Sequence, residues 1–234
     1  MASNGCVLIT GAAGHLGHAV AAHFSASGVP LALLDRQADA LESLARDLPG
    51  SSVLPLSTDL LDPAAVAAAV SRAVDLYGGI AAAINLAGGF AMGDPVHATP
   101  AAVWQRMLDL NVNTMLHSCA AVVPVMQRAG RGAIVNVGAA SALRGAANMG
   151  AYIASKSALM RLTESMAAEL REHGINVNAV LPSVIDTPAN RASMPDADPR
   201  RWVAPQDLAA VIGFLASEAA RAIHGALIPV TGLS

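Results

Sequence analysis

Short apolar runs alternate with alanine-rich amphipathic stretches along almost the whole chain. Each run has the length of a strand, and most of the stretches between them have the length of a helix. The sequence predicts extended segments at 6–10, 30–35, 52–59, 80–88, 132–139, 175–182 and 225–230. It predicts helices at 15–28, 39–48, 63–78, 101–130, 152–171 and 205–220, with a bend at Pro124. Because strands joined by helices run parallel with right-handed crossovers, we expect an α/β fold: a doubly wound parallel sheet of about seven strands with helices on both faces.

The composition agrees with a sheet that is buried on both faces. Hydrophobic residues make up 54% of the 234 residues and charged residues 13%, which suits one large domain over 1–234. The formal net charge is −3, without a dense stripe of lysine or arginine, so no nucleic-acid partner is expected. The apolar runs end before membrane-spanning length, and the N-terminal segment lacks the basic region of a signal peptide. We therefore expect a cytoplasmic protein without a membrane partner.

No metal site is predicted. Cys6 and Cys119 are far apart, and nothing around them resembles a zinc motif or a disulfide framework. His15, His18 and His23 lie on one predicted helix, but no carboxylate motif accompanies them.

A glycine-rich segment, TGAAGHLG at 10–17, joins the first predicted strand to the first predicted helix. A dinucleotide-binding (Rossmann) fold uses glycines at this place. Gly11 allows a tight turn, Gly14 lets the backbone approach a pyrophosphate, and Gly17 lets the helix pack on the sheet. The predicted cofactor contacts in this segment are Gly11, Gly14, His15, Leu16 and Gly17. A glycine turn without a ligand is the alternative interpretation.

An acidic residue ends the second predicted strand and favours the cofactor interpretation. Asp35 lies 18 residues after Gly17, where a carboxylate accepts hydrogen bonds from the adenosine ribose hydroxyls. The same charge repels a 2′-phosphate, so NAD is predicted over NADP. Arg36 follows directly, is also predicted to contact the cofactor, and weakens that preference.

Tyr152 and Lys156 are four positions apart, so in a helix their side chains share a face. At about 5 Å and an effective dielectric constant of about 20, an ammonium group attracts a phenolate by about 3 kcal/mol. This attraction would lower a tyrosine pKa of about 10 by roughly two units and make the side chain a general acid or base. The spacing alone is also typical of an exposed pair without chemistry.

Together these residues make the chain resemble the short-chain dehydrogenase/reductase family over roughly residues 5–232. The motifs that carry the resemblance are TGAAGHLG, Asp35, Asp59 in STDL, NLAG (85–88), Asn111 in LDLNVNT, YIASK (152–156) and LPSVIDTP (181–188). The resemblance implies hydride transfer between NAD(H) and a small organic substrate. It also implies a homo-oligomer, a dimer or a tetramer, formed through the helices at 101–130 and 152–171.

The resemblance implies a role for each matching residue. Tyr152 exchanges a proton with the substrate, Lys156 binds the nicotinamide ribose and tunes the tyrosine, and Asn111 anchors a water in the proton relay. The other implied cofactor contacts are Asp59 and Leu60 at the adenine, Asn85, Ala87 and Gly88 at its ribose, and Pro182, Ile185 and Thr187 at the nicotinamide end.

The chain departs from the family pattern at three positions. His15 replaces the middle glycine of the turn, and Ser183 replaces the glycine expected after Pro182. Most importantly, Ala139 stands thirteen positions before the tyrosine, where the family has its catalytic serine. Three explanations are open. Ser141 supplies the hydroxyl, because residues i and i+2 share a face while the chain is extended; or the substrate does not need that contact; or catalysis is lost.

A narrower resemblance concerns the predicted substrate loop at about 183–204. Residues 181–202 and AGGFAMG (87–93) are similar to dihydropteridine reductases, which also have alanine at the serine position. This similarity implies NADH-dependent reduction of a quinonoid dihydropterin as one alternative, and a non-catalytic NAD(H)-binding sensor or scaffold as another. Candidate substrate contacts, with ordinary packing as the alternative, are Phe90, Met92, Met149, Met194 and Trp202, with Arg144 and Arg191 as polar anchors.

Overall fold

The computed structural model describes residues 5–48 and 50–234. Seven parallel strands form one sheet in the order β3-β2-β1-β4-β5-β6-β7. The strands are β1 (Cys6–Thr10), β2 (Leu31–Asp35), β3 (Val53–Ser57), β4 (Ile80–Asn85), β5 (Gly132–Val137), β6 (Ile175–Pro182) and β7 (Leu227–Val230). The predicted doubly wound α/β fold is confirmed. Residues 1–4, within the segment predicted to lack a signal peptide, lie outside the described residues.

Eight α-helices connect the strands within the described part of the chain. They are α1 (His15–Ser25), α2 (Ala38–Arg46), α3 (Pro63–Tyr77), α4 (Ala101–Leu108), α5 (Thr114–Ala129), α6 (Gly150–Leu170), α7 (Pro188–Ser193) and α8 (Pro205–Leu215). None of them combines the length and apolarity that are needed to cross a bilayer.

The helices cover both faces of the sheet, as the apolar strands require. In β1, Val7 and Ile9 pack in a core layer with α1, α2 and α8, whereas Cys6 and Leu8 pack in a layer with α3, α5 and α6. All four side chains are fully buried. Successive residues of a strand point to opposite faces, so a strand buried on both sides is a continuous apolar run, which explains the sequence CVLIT.

The predicted helix at 101–130 is interrupted, which corrects the sequence prediction. Residues Asp109–Asn113 form a π-helical turn between α4 and α5, whereas α5 itself continues through Pro124 to Ala129. A π turn inserts an extra residue into the helix, and such turns occur frequently at functional sites. Asn111 lies within this turn.

Candidate active site

The glycine turn between β1 and α1 has the geometry that its sequence predicts. Gly11 has φ of 67°, and a Cβ atom there would lie 2.8 Å from the backbone nitrogen of Ala87. Any other residue would therefore be strained and would collide with the loop after β4. A Cβ atom on Gly17 would collide with the backbone of Ala12, so the glycine lets α1 pack closely against the turn.

The carboxylate of Asp35 is tied to the same turn. Its Oδ2 atom accepts a hydrogen bond from the backbone N–H of Ala13 at 3.2 Å, and its Oδ1 atom accepts one from Gln37 at 3.2 Å. Asp35 is half-buried. A carboxylate has about four lone-pair sites, so two remain for further donors.

A cleft of about 270 Å³ opens beside the turn, at the carboxyl ends of β1, β2 and β4. In a doubly wound sheet this edge is where ligands bind. The cleft brings together eight of the predicted cofactor contacts: Gly11, Gly14, Asp35, Arg36, Asp59, Leu60, Ala87 and Gly88. The absence of Cβ atoms at Gly11 and Gly14 leaves the backbone open to a ligand, and the carboxylates of the half-buried Asp35 and the exposed Asp59 offer acceptors. The lining therefore fits the adenosine and pyrophosphate part of a dinucleotide, whereas the expected nicotinamide contacts Pro182, Ile185 and Thr187 lie outside it.

Asn85, expected to border the ribose, is not among the residues that line this cleft. Asn85 pairs with Asn136 in the register of β4 and β5, and both side chains are buried on the same face of the sheet. The Nδ2 atom of Asn85 donates to Oδ1 of Asn136 at 2.9 Å, and Asn136 in turn donates to Thr163 of α6. These hydrogen bonds connect β4, β5 and α6 in the interior of the protein.

The turn residues His15 and Leu16 also lie away from the cleft lining. His15 is exposed and lines a second groove, together with Arg191 of α7 and Pro205 at the start of α8. Leu16 packs, half-buried, against the core layer of α1.

Lys156 is the most deeply buried cationic group near the cleft. It is 6% exposed, and its Nζ atom donates to the backbone carbonyl of Val137, at the end of β5, at 2.8 Å. A Cβ atom on Gly88 would lie 3.3 Å from this Nζ atom, so the ammonium group adjoins the cleft wall. Removal from water disfavours the charged form and lowers the pKa of Lys156 to about 8.

Tyr152 lies in the first turn of α6 and differs from the sequence expectation. Burial raises the pKa of its hydroxyl above the ordinary value of 10.0, whereas the sequence predicts a lowered pKa. The physical reason is that desolvation of the phenolate dominates, while the ammonium group of Lys156 donates to the Val137 carbonyl. The ring also packs edge-on against Phe90, with 4.9 Å between the ring centroids.

The side chain of Asn111 joins the loop after β4 to α6. Its Oδ1 atom accepts from the backbone N–H of Gly89 at 2.9 Å, and its Nδ2 atom donates to the Gly89 carbonyl at 3.1 Å and to Oγ of Ser155 at 3.0 Å. Ser155 donates in turn to the backbone carbonyl of Tyr152 at 2.8 Å. Sequence reasoning missed Ser155, although it lies inside the YIASK motif, one helical turn after the tyrosine.

Ser141 is not placed as the sequence argument requires. Ala139 is extended, with φ of −157°, but Ala140–Leu143 form a 3₁₀ turn. In such a turn residues i and i+2 point in different directions. Ala139 is therefore buried beside the first half of α6 whereas Ser141 is exposed, and the premise that the two share a face is wrong.

The segment after β6 folds over the same edge of the sheet. Ile185 forms a bridge with Val203, and Thr187 caps α7 by accepting from the N–H of Asn190 at 3.2 Å. Pro182 is buried at the end of β6. The replaced glycine, Ser183, donates its hydroxyl to the carbonyl of Thr231 at 2.8 Å, so its side chain fixes the start of this segment.

The candidate substrate contacts differ in their surroundings. Phe90 and Met92 are 55% and 63% exposed and present apolar surface, and the ring of Phe90 lies next to the ring of Tyr152. Met149, Met194 and Trp202 are half-buried, and Arg144 is exposed. Arg191 forms a bidentate ion pair with Asp186, at 2.6 and 2.7 Å. The Asp186 carboxylate therefore neutralises the guanidinium charge that was expected to anchor a substrate.

The cleft lining fits the adenosine and pyrophosphate part of a dinucleotide, a buried lysine adjoins its wall at Gly88, and a tyrosine lies one helical turn before that lysine. Together these features are those of a nucleotide-dependent oxidoreductase. The sequence model of the family described as short chain dehydrogenase matches residues 5–198, and the chain belongs to that family.

Known members of the family are similar over nearly the whole chain. Levodione reductase of Leifsonia aquatica is 29% identical, over 97% of this chain and 92% of the relative. A protein of Xanthobacter autotrophicus named inactive 2-(S)-hydroxypropyl-CoM dehydrogenase 2 is 36% identical, over 88% of this chain and 95% of its own. The structure of NAD⁺-bound xylitol dehydrogenase superposes with a TM-score of 0.91 at 28% identity, covering 99% of this chain and all of that one.

Proposed function

We propose that this oxidoreductase transfers a hydride between NAD(H) and a small organic substrate, with Tyr152 as the proton donor or acceptor. The observation that carries the proposal is the placement of Lys156, buried against Gly88 of the cleft wall and one helical turn from Tyr152. A buried ammonium group is costly, and such groups concentrate at functional sites. The segment at about 183–204 is proposed to cover the substrate.

The cofactor contacts are proposed from the lining of the cleft. Gly11 and Gly14 face the pyrophosphate, Asp35 accepts from the adenosine ribose, and Asp59 lies at the adenine end. NAD is favoured over NADP because a 2′-phosphate would meet the Asp35 carboxylate. The NAD⁺-bound xylitol dehydrogenase structure, similar over the whole chain, supports this choice.

The proton chemistry follows from the surroundings of two side chains. A bound nicotinamide supplies the hydride in reduction and accepts it in oxidation. Because burial raises the pKa of Tyr152, its hydroxyl is protonated near neutral pH and suits the donor role in reduction. Lys156, with its pKa lowered to about 8, carries its charge at neutral pH and loses it in mildly alkaline solution.

The test is NADH oxidation with a panel of ketones, quinones and a quinonoid dihydropterin. We expect turnover with at least one class, with NADH preferred to NADPH. Tight NADH binding without turnover of any panel member would contradict the catalytic part of the proposal.

A quinonoid dihydropterin is the second candidate substrate. The buried Ala139 favours it, because alanine offers no hydroxyl to hold a carbonyl oxygen, and the exposed Ser141 does not share the face of Ala139. A C=N system can be protonated on nitrogen without that contact. Activity confined to the ketones would contradict this candidate.

A non-catalytic NAD(H)-binding role is the remaining alternative. Ala139 favours it, and one relative is named inactive. The buried Lys156 and the Asn111–Ser155–Tyr152 connections argue for retained chemistry. Partner binding that changes with the NADH/NAD⁺ ratio, in the absence of turnover, would favour the sensor.

A homo-oligomer formed through α4, α5 and α6 is also proposed. Leu108 and Leu116 of these helices are 39% and 36% exposed, and a partner subunit would cover them. The mass in solution distinguishes a dimer from a tetramer, and a monomer would contradict the proposal.

A further inference from the structure

We propose that Ser155 is a positioning residue for Tyr152: its hydroxyl holds the first turn of α6 against Asn111 and, through it, against the loop after β4. The inference rests on the proposed role of Tyr152 in proton transfer. It concerns a residue that touches neither the cleft nor the expected substrate position directly.

The first support is the set of hydrogen bonds that the Asn111 amide makes. Both of its polar atoms bond to the backbone of Gly89, and Nδ2 also donates to Ser155. Asn111 and Ser155 are both 0% exposed. A buried polar group that loses its partner is left unsatisfied, so these hydrogen bonds hold Asn111 and Ser155 in place. The side chain of Asn111 thus ties the loop after β4 to α6.

The second support is the acceptor to which the Ser155 hydroxyl donates. It donates to the backbone carbonyl of Tyr152, three residues earlier, at 2.8 Å. A serine hydroxyl bound to an earlier carbonyl of its own helix alters the local helix geometry. Here it acts on the very residue whose ring must reach the substrate.

The third support is a second connection between the same loop and the tyrosine. Phe90 follows Gly89 directly, and its ring packs against the ring of Tyr152. Asn111 therefore controls the tyrosine by two routes, through Ser155 to its backbone and through Gly89 and Phe90 to its ring. Because position 139 is alanine, it supplies no hydroxyl to hold the phenol of Tyr152. The position of Tyr152 therefore depends on these two connections.

Proton transfer needs a heavy-atom distance of about 2.6–3.2 Å, and a displacement of about 1 Å can cost on the order of 100-fold in rate. Loosening the first turn of α6 should therefore lower kcat and leave the cofactor cleft intact. It should also let water reach the Tyr152 ring.

The experiment compares Ser155→Thr with Ser155→Val. The two variants place side chains of nearly equal size at the buried position, and only threonine keeps a hydroxyl. Tyr152 is observed directly by ¹³Cζ-tyrosine NMR, since the chain has only two tyrosines. Tyr77→Phe removes the other signal and assigns the spectrum. This measurement needs no substrate.

We expect the valine variant to show about twice as much phenolate at pH 10.5 as the threonine variant, because the loosened ring is better solvated. With a substrate from the panel, we expect about a tenfold lower kcat for valine than for threonine, with KM for NADH within about twofold. Ser157→Ala is the matched control. Ser157 also lies on α6, but its hydroxyl donates to the carbonyl of Ala142 and does not bond to Asn111 or Tyr152. It should change neither quantity.

Equal phenolate fractions in the two variants would overturn the positioning role, whether or not the protein turns over any substrate. A loss confined to thermal stability, with the Tyr152 signal and kcat unchanged, would also overturn it and make Ser155 a purely structural residue. Failure of the proposed function alone would leave the NMR difference in place.

Discussion

The two halves of the active site are built in different ways. The cofactor half, from the glycine turn to Asp35 and Asp59, consists of backbone and exposed side chains at the ends of β1, β2 and β3. The reacting half, around Tyr152 and Lys156, contains the buried side chains of Lys156, Ser155 and Asn111, which bond to β5, to α6 and to the loop after β4. On the proposed function, the first half would bind the cofactor and the second half would control protonation through burial.

Burial governs the pKa values of the two titratable groups of the reacting half. Desolvation raises the pKa of Tyr152 and lowers that of Lys156, so burial favours the neutral form of both groups. In the cofactor half the carboxylates of the half-buried Asp35 and the exposed Asp59 accept backbone N–H bonds and line the cleft, where they can accept further hydrogen bonds from a ligand.

The largest effect on activity is expected from a substitution of Tyr152, and it tests whether catalysis and cofactor binding depend on separate halves of the site. Tyr152→Phe should lower kcat by about 1,000-fold, because general acid catalysis contributes about 10²–10⁴-fold, and should leave the Kd for NADH within about twofold. Steady-state kinetics and NADH fluorescence titration measure the two quantities. Tyr77→Phe is the matched control and should retain full activity. A Tyr152→Phe enzyme with normal kcat would contradict the assignment of the two halves.

The cofactor half could be predicted from the sequence because its determinants are local. The strand, the glycines and the acidic residue that ends β2 lie within 30 residues of sequence, and their spacing is that of a dinucleotide-binding turn. The fold could be predicted for the same reason: the apolar runs have the length and continuity of strands buried on both faces.

The reacting half could be predicted only in part because its determinants are distant in sequence. The Tyr152–Lys156 spacing is visible, but the carbonyl that binds Lys156 lies 19 residues earlier and the amide that binds Ser155 lies 44 residues earlier. The 3₁₀ turn that separates Ser141 from Ala139 has no clear sequence signal, so an extended chain was the wrong premise there.

The second prediction sharpens the specificity of the cofactor half. Asp35→Asn keeps an acceptor for the backbone N–H of Ala13 but removes the charge. At a separation of about 5 Å and a dielectric constant of about 20, that charge repels a phosphate by about 3 kcal/mol. The ratio of kcat/KM for NADPH to that for NADH should therefore rise on the order of 100-fold. Asp39→Asn, which alters an exposed carboxylate on α2, should leave the ratio unchanged.

If Asp35→Asn fails to change that ratio, Arg36 or the glycine turn must set the preference instead. An equal increase in the Kd values for NADH and NADPH would show that Asp35 mainly supports the turn.

The third prediction tests whether the absence of a serine hydroxyl at position 139 suits the substrate of this protein. Ala139→Ser should raise kcat/KM for a ketone about tenfold, because the hydroxyl would hold the reacting oxygen. It should leave reduction of a quinonoid dihydropterin within about twofold. Ser141→Ala is the control and should change neither rate, since Ser141 is exposed. A large loss in Ser141→Ala would instead show that Ser141 reaches the substrate.

The smallest effect concerns the stability cost of the buried charge. Lys156 is the only lysine of the chain, and its pKa falls from 10.5 to about 8 on folding. Below pH 8 both the folded and the unfolded protein carry the charge, so its full desolvation cost, up to about 3 kcal/mol at about 1.4 kcal/mol per pK unit, opposes folding. Lys156→Met removes this cost and also the hydrogen bond to Val137, worth about 1 kcal/mol.

At pH 7 the net gain of about 2 kcal/mol should raise the melting temperature of Lys156→Met by roughly 5 °C over the natural protein. Between pH 8 and 10.5 the folded natural protein binds fewer protons than the unfolded one, so its free energy of unfolding should rise with pH relative to that of the variant. The difference in melting temperature between the two proteins should therefore become smaller. Calorimetry of both proteins across this range measures the gap. A gap that stays constant with pH would mean that Lys156 keeps an ordinary pKa, and the reacting half would then not exclude water.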